Sequence, residues 1–206
     1  MTHASAKSSP LDYIPTSLIK FCSPTFSQLI AYLANLSFHE GCFPSSITQA
    51  IVTPLLKKPG LDSSSPSNYR PISNLNNISK ILERLFLTRL QPHVTSSSNF
   101  TPLQSAYRRA HSTETALVNT LDYIYPSAGR SLPTFLVSLD LSAAFDTIDH
   151  CTLLNRVENS FGVTGLALSW IRSYLSNRSQ CVAMGTSQSN FVPLNTGVPQ
   201  GSVIGP

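Results

Sequence analysis

The sequence predicts an α+β fold, and three patterns point to it. Apolar residues recur at three- and four-residue spacing in several stretches, short aliphatic or β-branched runs stop at Pro, Gly or Asp, and Ser/Pro-rich segments separate them. With 206 residues, of which 41% are apolar, the chain can bury a core. Charged residues make up 12%, against about 25% in ordinary soluble domains, which excludes a disordered acidic tail or a solvated charged helix. The longest apolar stretches, 29–36 and 135–139, fall short of the roughly 18 to 20 residues that cross a bilayer. Met1 to Pro10 lacks the apolar stretch of a secretory leader, so an intracellular protein, nuclear or cytoplasmic and with no membrane partner, is expected.

Ser23 and Pro24 read as the cap and first turn of a helix whose face is Phe26, Leu29, Ile30, Leu33 and Leu36, ended by Gly41 and Pro44. Ala50 to Leu56 reads as a strand that stops at the turn Lys57-Lys58-Pro59-Gly60, with a loop over 62–68. Ile78, Ile81, Leu82, Leu85, Phe86 and Leu90 predict an amphipathic helix that ends before Pro92, with Lys80, Glu83, Arg84 and Arg89 outside its stripe. A Ser-rich loop at 95–99 leads through 104–109 to a helix carrying Ala116, Leu117, Leu121 and Ile124, broken at Pro126 and Gly129. Phe135 to Leu139, between Pro133 and Asp140, predicts a buried strand. Helices are expected at 152–159 and 164–175, and a hairpin joins 180–184 to 191–194 around Gly185 and Ser189.

Net charge is +4, unevenly spread. Eleven Lys/Arg face six Asp/Glu up to Leu139, whereas three Arg face four acids from Asp140 onward, three of them Asp within ten residues. A basic first part permits a polyanionic partner. Cys22, Cys42, Cys151 and Cys181 never approach a Cys-x-x-Cys spacing, and His39, His93, His111 and His150 show no ligand spacing with them, so free thiols are expected.

The sharpest feature is Ser138-Leu139-Asp140-Leu141-Ser142-Ala143-Ala144-Phe145-Asp146, an apolar run ending in a carboxylate. A carboxylate held at a strand end suits Mg²⁺, which keeps waters and takes one or two carboxylates plus substrate phosphates. Asp140 can equally cap the following turn. An aspartyl-phosphate hydrolase would need a second acid two positions on, where this chain has Ser142. Lys57-Lys58 reads as a solvated turn, Phe145 as a buried aromatic, Gly197 to Gly201 as a turn, and Asp146 and Asp149 as helix-start residues.

From about Asp12 to Pro206 the chain resembles the reverse transcriptases of LINE-type (non-LTR) retrotransposons. Asp140 to Asp146 is similar to their first palm motif, Asp-x-x-x-Ala-Phe-Asp, and Tyr69-Arg70-Pro71-Ile72-Ser73 to their fingers motif. Gln104 to Ser112 is similar to the motif between fingers and palm, and Gly197 to Gly201 to Gly-x-Pro-Gln-Gly. The resemblance implies the fingers and partial palm of a right-hand polymerase fold: an N-terminal helical extension over 1–49, fingers over 50–130 and a partial palm over 131–206 with a strand at 134–140. It implies an RNA-directed DNA polymerase that acts on an RNA template, a DNA primer and deoxynucleoside triphosphates.

Asp140 is then one of three carboxylates holding two Mg²⁺, with the Leu141 carbonyl a further ligand. Lys57, Lys58 and Arg70 meet the triphosphate and incoming base, Phe145 lies under its sugar, Gln200 and Gly201 face the nucleotide, and Arg108 and Arg109 meet template backbone. Where the family has Gly in the third motif, this chain has Ala106 and Ala110, two positions expected to need positive φ. The hairpin with the other two carboxylates is expected a few dozen residues past Gly201, so neither it, the thumb nor an endonuclease is expected here, and the fragment is expected to be inactive alone. The alternatives are a non-catalytic remnant that binds nucleic acid or protein, and a relic that folds poorly.

Overall fold

The computed structural model describes residues 9–130 and 132–206; Met1 to Ser8, including Lys7 and most of the stretch read for a leader, lie outside the described residues, as does Ser131. At the centre of a mixed sheet is β1, Gln49–Leu56. It pairs antiparallel with β2, Tyr69–Leu75, from Ala50 opposite Leu75 to Leu56 opposite Tyr69, and parallel with β3, Ser179–Met184. The hairpin expected around Gly185 is present, with β3 pairing antiparallel to β4, Ser187–Gln188, and to β5, Val192–Pro193. Tyr69 to Leu75 carries no apolar alternation that reads as a strand; its ladder with β1 makes it one.

Two compact units form: the described residues up to His93 together with Ala143–Pro206, and Val94–Ser142. The first holds the sheet, the helices α1, Thr16–Phe21, and α2, Ser23–Glu40, most of α3, Asn77–Ser96, and α5, His150–Phe161, with α6, Gly165–Leu175. Its core is aromatic. Trp170 on α6 stacks on Phe86 of α3 with centroids 4.0 Å apart and meets Phe43 edge-on at 5.3 Å, while its indole N–H donates to Ser37 Oγ at 2.9 Å. A buried indole thus keeps both apolar contact and a polar partner.

The helix faces differ from the stripes read in the sequence. On α2 the buried line is Ile30, Ala34 and Ser37, while Leu29 and Leu36 are exposed, because small residues let the helix sit close to α6. Ser23 is the first helical residue, not the cap, since Cys22 holds that place. On α3 Glu83 is fully buried while Leu85 is exposed, the reverse of the expected stripe. Helix α3 also runs through Pro92 to Ser96, since proline forfeits one backbone bond and its flanking turns continue. Asp12 fastens its start, taking the Asn77 N–H at 2.7 Å from sixty-five residues away.

In the second unit, α4, Thr113–Gly129, begins at a capping box in which Ser112 and Thr115 exchange side chain to backbone bonds. It includes Pro126, so the predicted break falls at Gly129, where Arg130 and Leu132 N–H both reach the Ser127 carbonyl. No described residue of this unit is buried. The expected buried strand at 134–140 is not formed: Phe135 is 90% and Leu139 91% exposed, and no strand among the described residues pairs with the segment. An apolar run becomes a strand only where a neighbour supplies the ladder and the covering face.

Among the described residues no helix is long and apolar enough to cross a membrane. All four cysteines are free.

Candidate functional site

The segment Gly197-Val198-Pro199-Gln200-Gly201 is clamped at both ends. At Gly197, φ +76°, a Cβ would stand 2.6 Å from the Phe145 carbonyl oxygen and 2.8 Å from Asp146 Cα. Only glycine lets the two backbones meet so closely. The Gly197 N–H donates to the Ile148 carbonyl at 2.7 Å, the Val198 N–H to the Phe145 carbonyl at 2.8 Å, and His150 Nε2 lies 2.7 Å from the Gly197 oxygen. At the other end the Ser73 N–H donates to the Gln200 carbonyl at 2.7 Å. A Cβ on Gly201, φ +124°, would stand 2.7 Å from the Ser73 oxygen. Ser73 ends the Tyr69 to Ser73 motif and Phe145 belongs to the Asp140 to Asp146 motif, so the loop brings parts of three sequence motifs together. Phe145 itself is half-buried and packs on the core cluster that includes Val198.

Of the basic positions in this unit, Lys58 and Arg70 are exposed, with Arg70 on β2 opposite Leu55. Lys57 closes the β1–β2 connection, its N–H on the Asn68 carbonyl at 2.9 Å and its ammonium on the Ser67 carbonyl at 2.8 Å. The connection is ordered by Asp62, whose carboxyl the Ser64 N–H and hydroxyl hold below its ordinary value. Asp149 caps α5 through the Thr152 N–H at 2.7 Å, which likewise lowers its pKa, so it is a helix-start residue; Asp146 lies in the turn before it.

The second unit carries Asp140, Leu141, Arg108 and Arg109. Arg108 serves its own loop, donating from Nη1 to the Pro102 carbonyl at 2.7 Å with its guanidinium 5.6 Å from the Phe100 ring centroid; Arg109 is exposed. Ala110 does adopt positive φ, 62°, but Tyr107 at 56°, not Ala106, is the second such residue. Asp140 and Leu141 are exposed on a segment without regular structure. Their oxygens suit a hard cation in kind. They are an incomplete set, since no group of three His, Cys, Asp or Glu that could hold a metal ion occurs among the described residues.

Two buried residues escape a sequence reading, Glu83 and Arg178. A Glu between Lys80 and Arg84 reads as solvent-facing, and only the neighbouring Ser79, Leu82 and Phe86, all buried, mark its side of the helix.

Comparison with known proteins agrees with the motifs. Residues 56–206 match the reverse transcriptase (RNA-dependent DNA polymerase) family. The chain is 32% identical over 207 residues to "Probable RNA-directed DNA polymerase from transposon BS" of Drosophila melanogaster, covering 97% of this chain and 22% of that protein. It is 27% identical over 195 residues to the RNA-directed DNA polymerase from mobile element jockey of the same fly, covering 95% and 21%. Over 186 residues it is 30% identical to the Pol polyprotein from type-1 retrotransposable element R2 of Popillia japonica, covering 88% and 25%. The chain thus spans between a fifth and a quarter of the length of these curated relatives. Its matched residues, its motif order and its relatives among non-LTR retrotransposons make it a member of the reverse transcriptase family.

Proposed function

We propose that this chain supplies the fingers and first part of the palm of a retrotransposon RNA-directed DNA polymerase. The observation that carries the reading is the Gly197 to Gly201 loop clamped between Phe145–Ile148 and Ser73, which holds the Gln200 backbone rigid where a templating pair would rest. Lys58 and Arg70 neutralise and clamp the incoming triphosphate, Lys as a point charge and Arg through paired donors. Lys57 braces the turn that presents Lys58. Phe145 lies under the incoming sugar, its ring steadied by the core, and selects deoxynucleotides by colliding with a 2′-hydroxyl. Arg108 and Arg109 follow template phosphates without reading sequence.

Reverse transcriptases use divalent metal, and here the Asp140 carboxylate and Leu141 carbonyl are the ligands this chain contributes. Divalent ions held there would supply charge to lower the pKa of the primer hydroxyl and to offset the charge of the triphosphate. One carboxylate cannot offset the repulsion of two such ions, so the 206-residue chain binds primer–template and does not extend it. The test measures anisotropy of a labelled RNA template annealed to a DNA primer, alongside Mg²⁺-dependent extension with Asp140→Asn as control. Binding that weakens on Arg70→Ala, with no extension, supports the reading. Absence of binding refutes the substrate assignment, and extension that vanishes in Asp140→Asn refutes the inactivity.

A further inference from the structure

Glu83 sits on α3 with 0% of its surface exposed, among Leu82, Phe86 and Tyr174, where an ionised carboxylate has lost its water. Its hydrogen-bond partners among the described residues are one hydroxyl and two backbone amides. Ser79 Oγ donates to Oε1 at 2.8 Å, the Val203 N–H to Oε2 at 2.6 Å, and the Ile204 N–H to Oε2 at 3.4 Å. Both backbone donors lie just past Gly201. Ser202, also buried, closes a turn there, its N–H on the Pro199 carbonyl at 3.0 Å.

We infer that Glu83 is a positioning residue that sets the Gly197–Gly201 loop by holding the Val203 and Ile204 N–H groups. The inference rests on the polymerase reading and deepens it, naming what fixes the third anchor of the loop after Phe145–Ile148 and Ser73. A carboxylate is the fitting group because one oxygen must accept from the chain while the other accepts from Ser79; an acceptor-only side chain meets all three donors. Charge suits the short Val203 bond at 2.6 Å, while the Ile204 N–H reaches the same oxygen over a longer 3.4 Å.

The surroundings support a buried charge. Arg178, 2% exposed, donates from Nη1 to the Tyr174 carbonyl at 2.9 Å and lies 4.6 Å from that ring's centroid, while its Nε and Nη2 and the Tyr174 hydroxyl make no hydrogen bond among the described residues. Burial pushes the Tyr174 hydroxyl far above its ordinary pKa, the Glu83 charge adds to the rise, and Arg178 opposes it.

The test is amide hydrogen exchange on the 206-residue protein, wild type, Glu83→Gln and Glu83→Leu, read at Val203 and Ile204 and at the core amides of Phe86 and Ile171. In Glu83→Gln the two loop amides should exchange about five times faster with the core amides unchanged, since charge-assisted bonds become neutral ones. In Glu83→Leu the acceleration should reach about 10- to 100-fold, the cost of leaving buried donors unpaired. If the Leu variant does not fold, the Gln variant decides alone. Equal acceleration at loop and core makes Glu83 a general stabiliser and overturns the inference, as does no change at Val203 and Ile204. Primer–template affinity on the same samples separates the two readings. A loosened loop with unchanged affinity leaves the positioning intact and counts against a substrate-facing loop. A wild-type protein without affinity sinks the polymerase reading while the exchange result stands.

Discussion

Gly197 and Gly60 share a left-handed backbone, φ +76° and +83°, but not their surroundings: a Cβ on Gly197 would strike backbone atoms of Phe145 and Asp146, and one on Gly60 meets nothing within 4 Å. Gly197→Ala should therefore destabilise by about 2 to 4 kcal/mol, conformational strain plus overpacking, and Gly60→Ala by about 1 to 2 kcal/mol from strain alone. Urea unfolding of both variants checks this, and equal losses would refute the close approach. Ala110 presents the opposite case, a Cβ on a residue at φ 62°. Ala110→Gly should stabilise Val94–Ser142 by about 0.5 to 1 kcal/mol, the left-handed strain relieved less the added chain entropy. Slower amide exchange along α4 is the expected sign, and faster exchange would contradict it.

Helix α5 shows how one carboxylate ties an element to pH. The Thr152 N–H is the main cause of Asp149's lowered pKa, with the His150 charge a lesser one. A group depressed in the folded state stabilises fully above its unfolded value, about 3.9, and loses that contribution as pH falls through the lower folded value. Asp149→Ala should thus lower the urea midpoint at pH 7 and converge on wild type as pH falls below the unfolded value, about 3.9, and through the lower folded one. Asp149→Asn, which caps without titrating, should stay close to wild type at pH 7 and show less acid sensitivity. A gap between Ala variant and wild type that persists unchanged into acid would show that the cap does not titrate. Segment 135–139 teaches a complementary lesson. Its apolar run is as strand-like as β1, yet β1 has β2 and β3 beside it and this segment has no paired strand among the described residues.

Taken as a polyanion-binding surface, the chain is weaker than its residue count suggests. Lys57 and Arg108 already hold carbonyls of their own loops, which leaves Lys58, Arg70 and Arg109 as the exposed members of the predicted set that hold no carbonyl among the described residues. Three phosphate contacts give a slope of log K against log salt of about −2 to −3, and five would give about −3.5 to −4.5. Titrations of primer–template between 50 and 200 mM salt, roughly the range over which such contacts are lost, distinguish the two. Lys58→Ala should reduce the slope by about one and Lys57→Ala by less. A salt-independent affinity would exclude phosphate contact altogether.

Family, motif order and most elements were legible in the residues, because periodicity and turn chemistry are local and because Gly-x-Pro-Gln-Gly names its own backbone needs. The β1 strand, the α2 stop at Gly41 and helices α5 and α6 follow from such signals. What local pattern could not supply was partnership. Tyr69 to Leu75 became a strand through β1, Phe135 to Leu139 remained without one, and Glu83 turned inward because the donors of Val203 and Ile204, 120 and 121 residues away, await a carboxylate there. A side chain's own chemistry sets what it can bond; the fold sets which distant backbone is there to be bonded, and burial then decides whether that bond is indispensable.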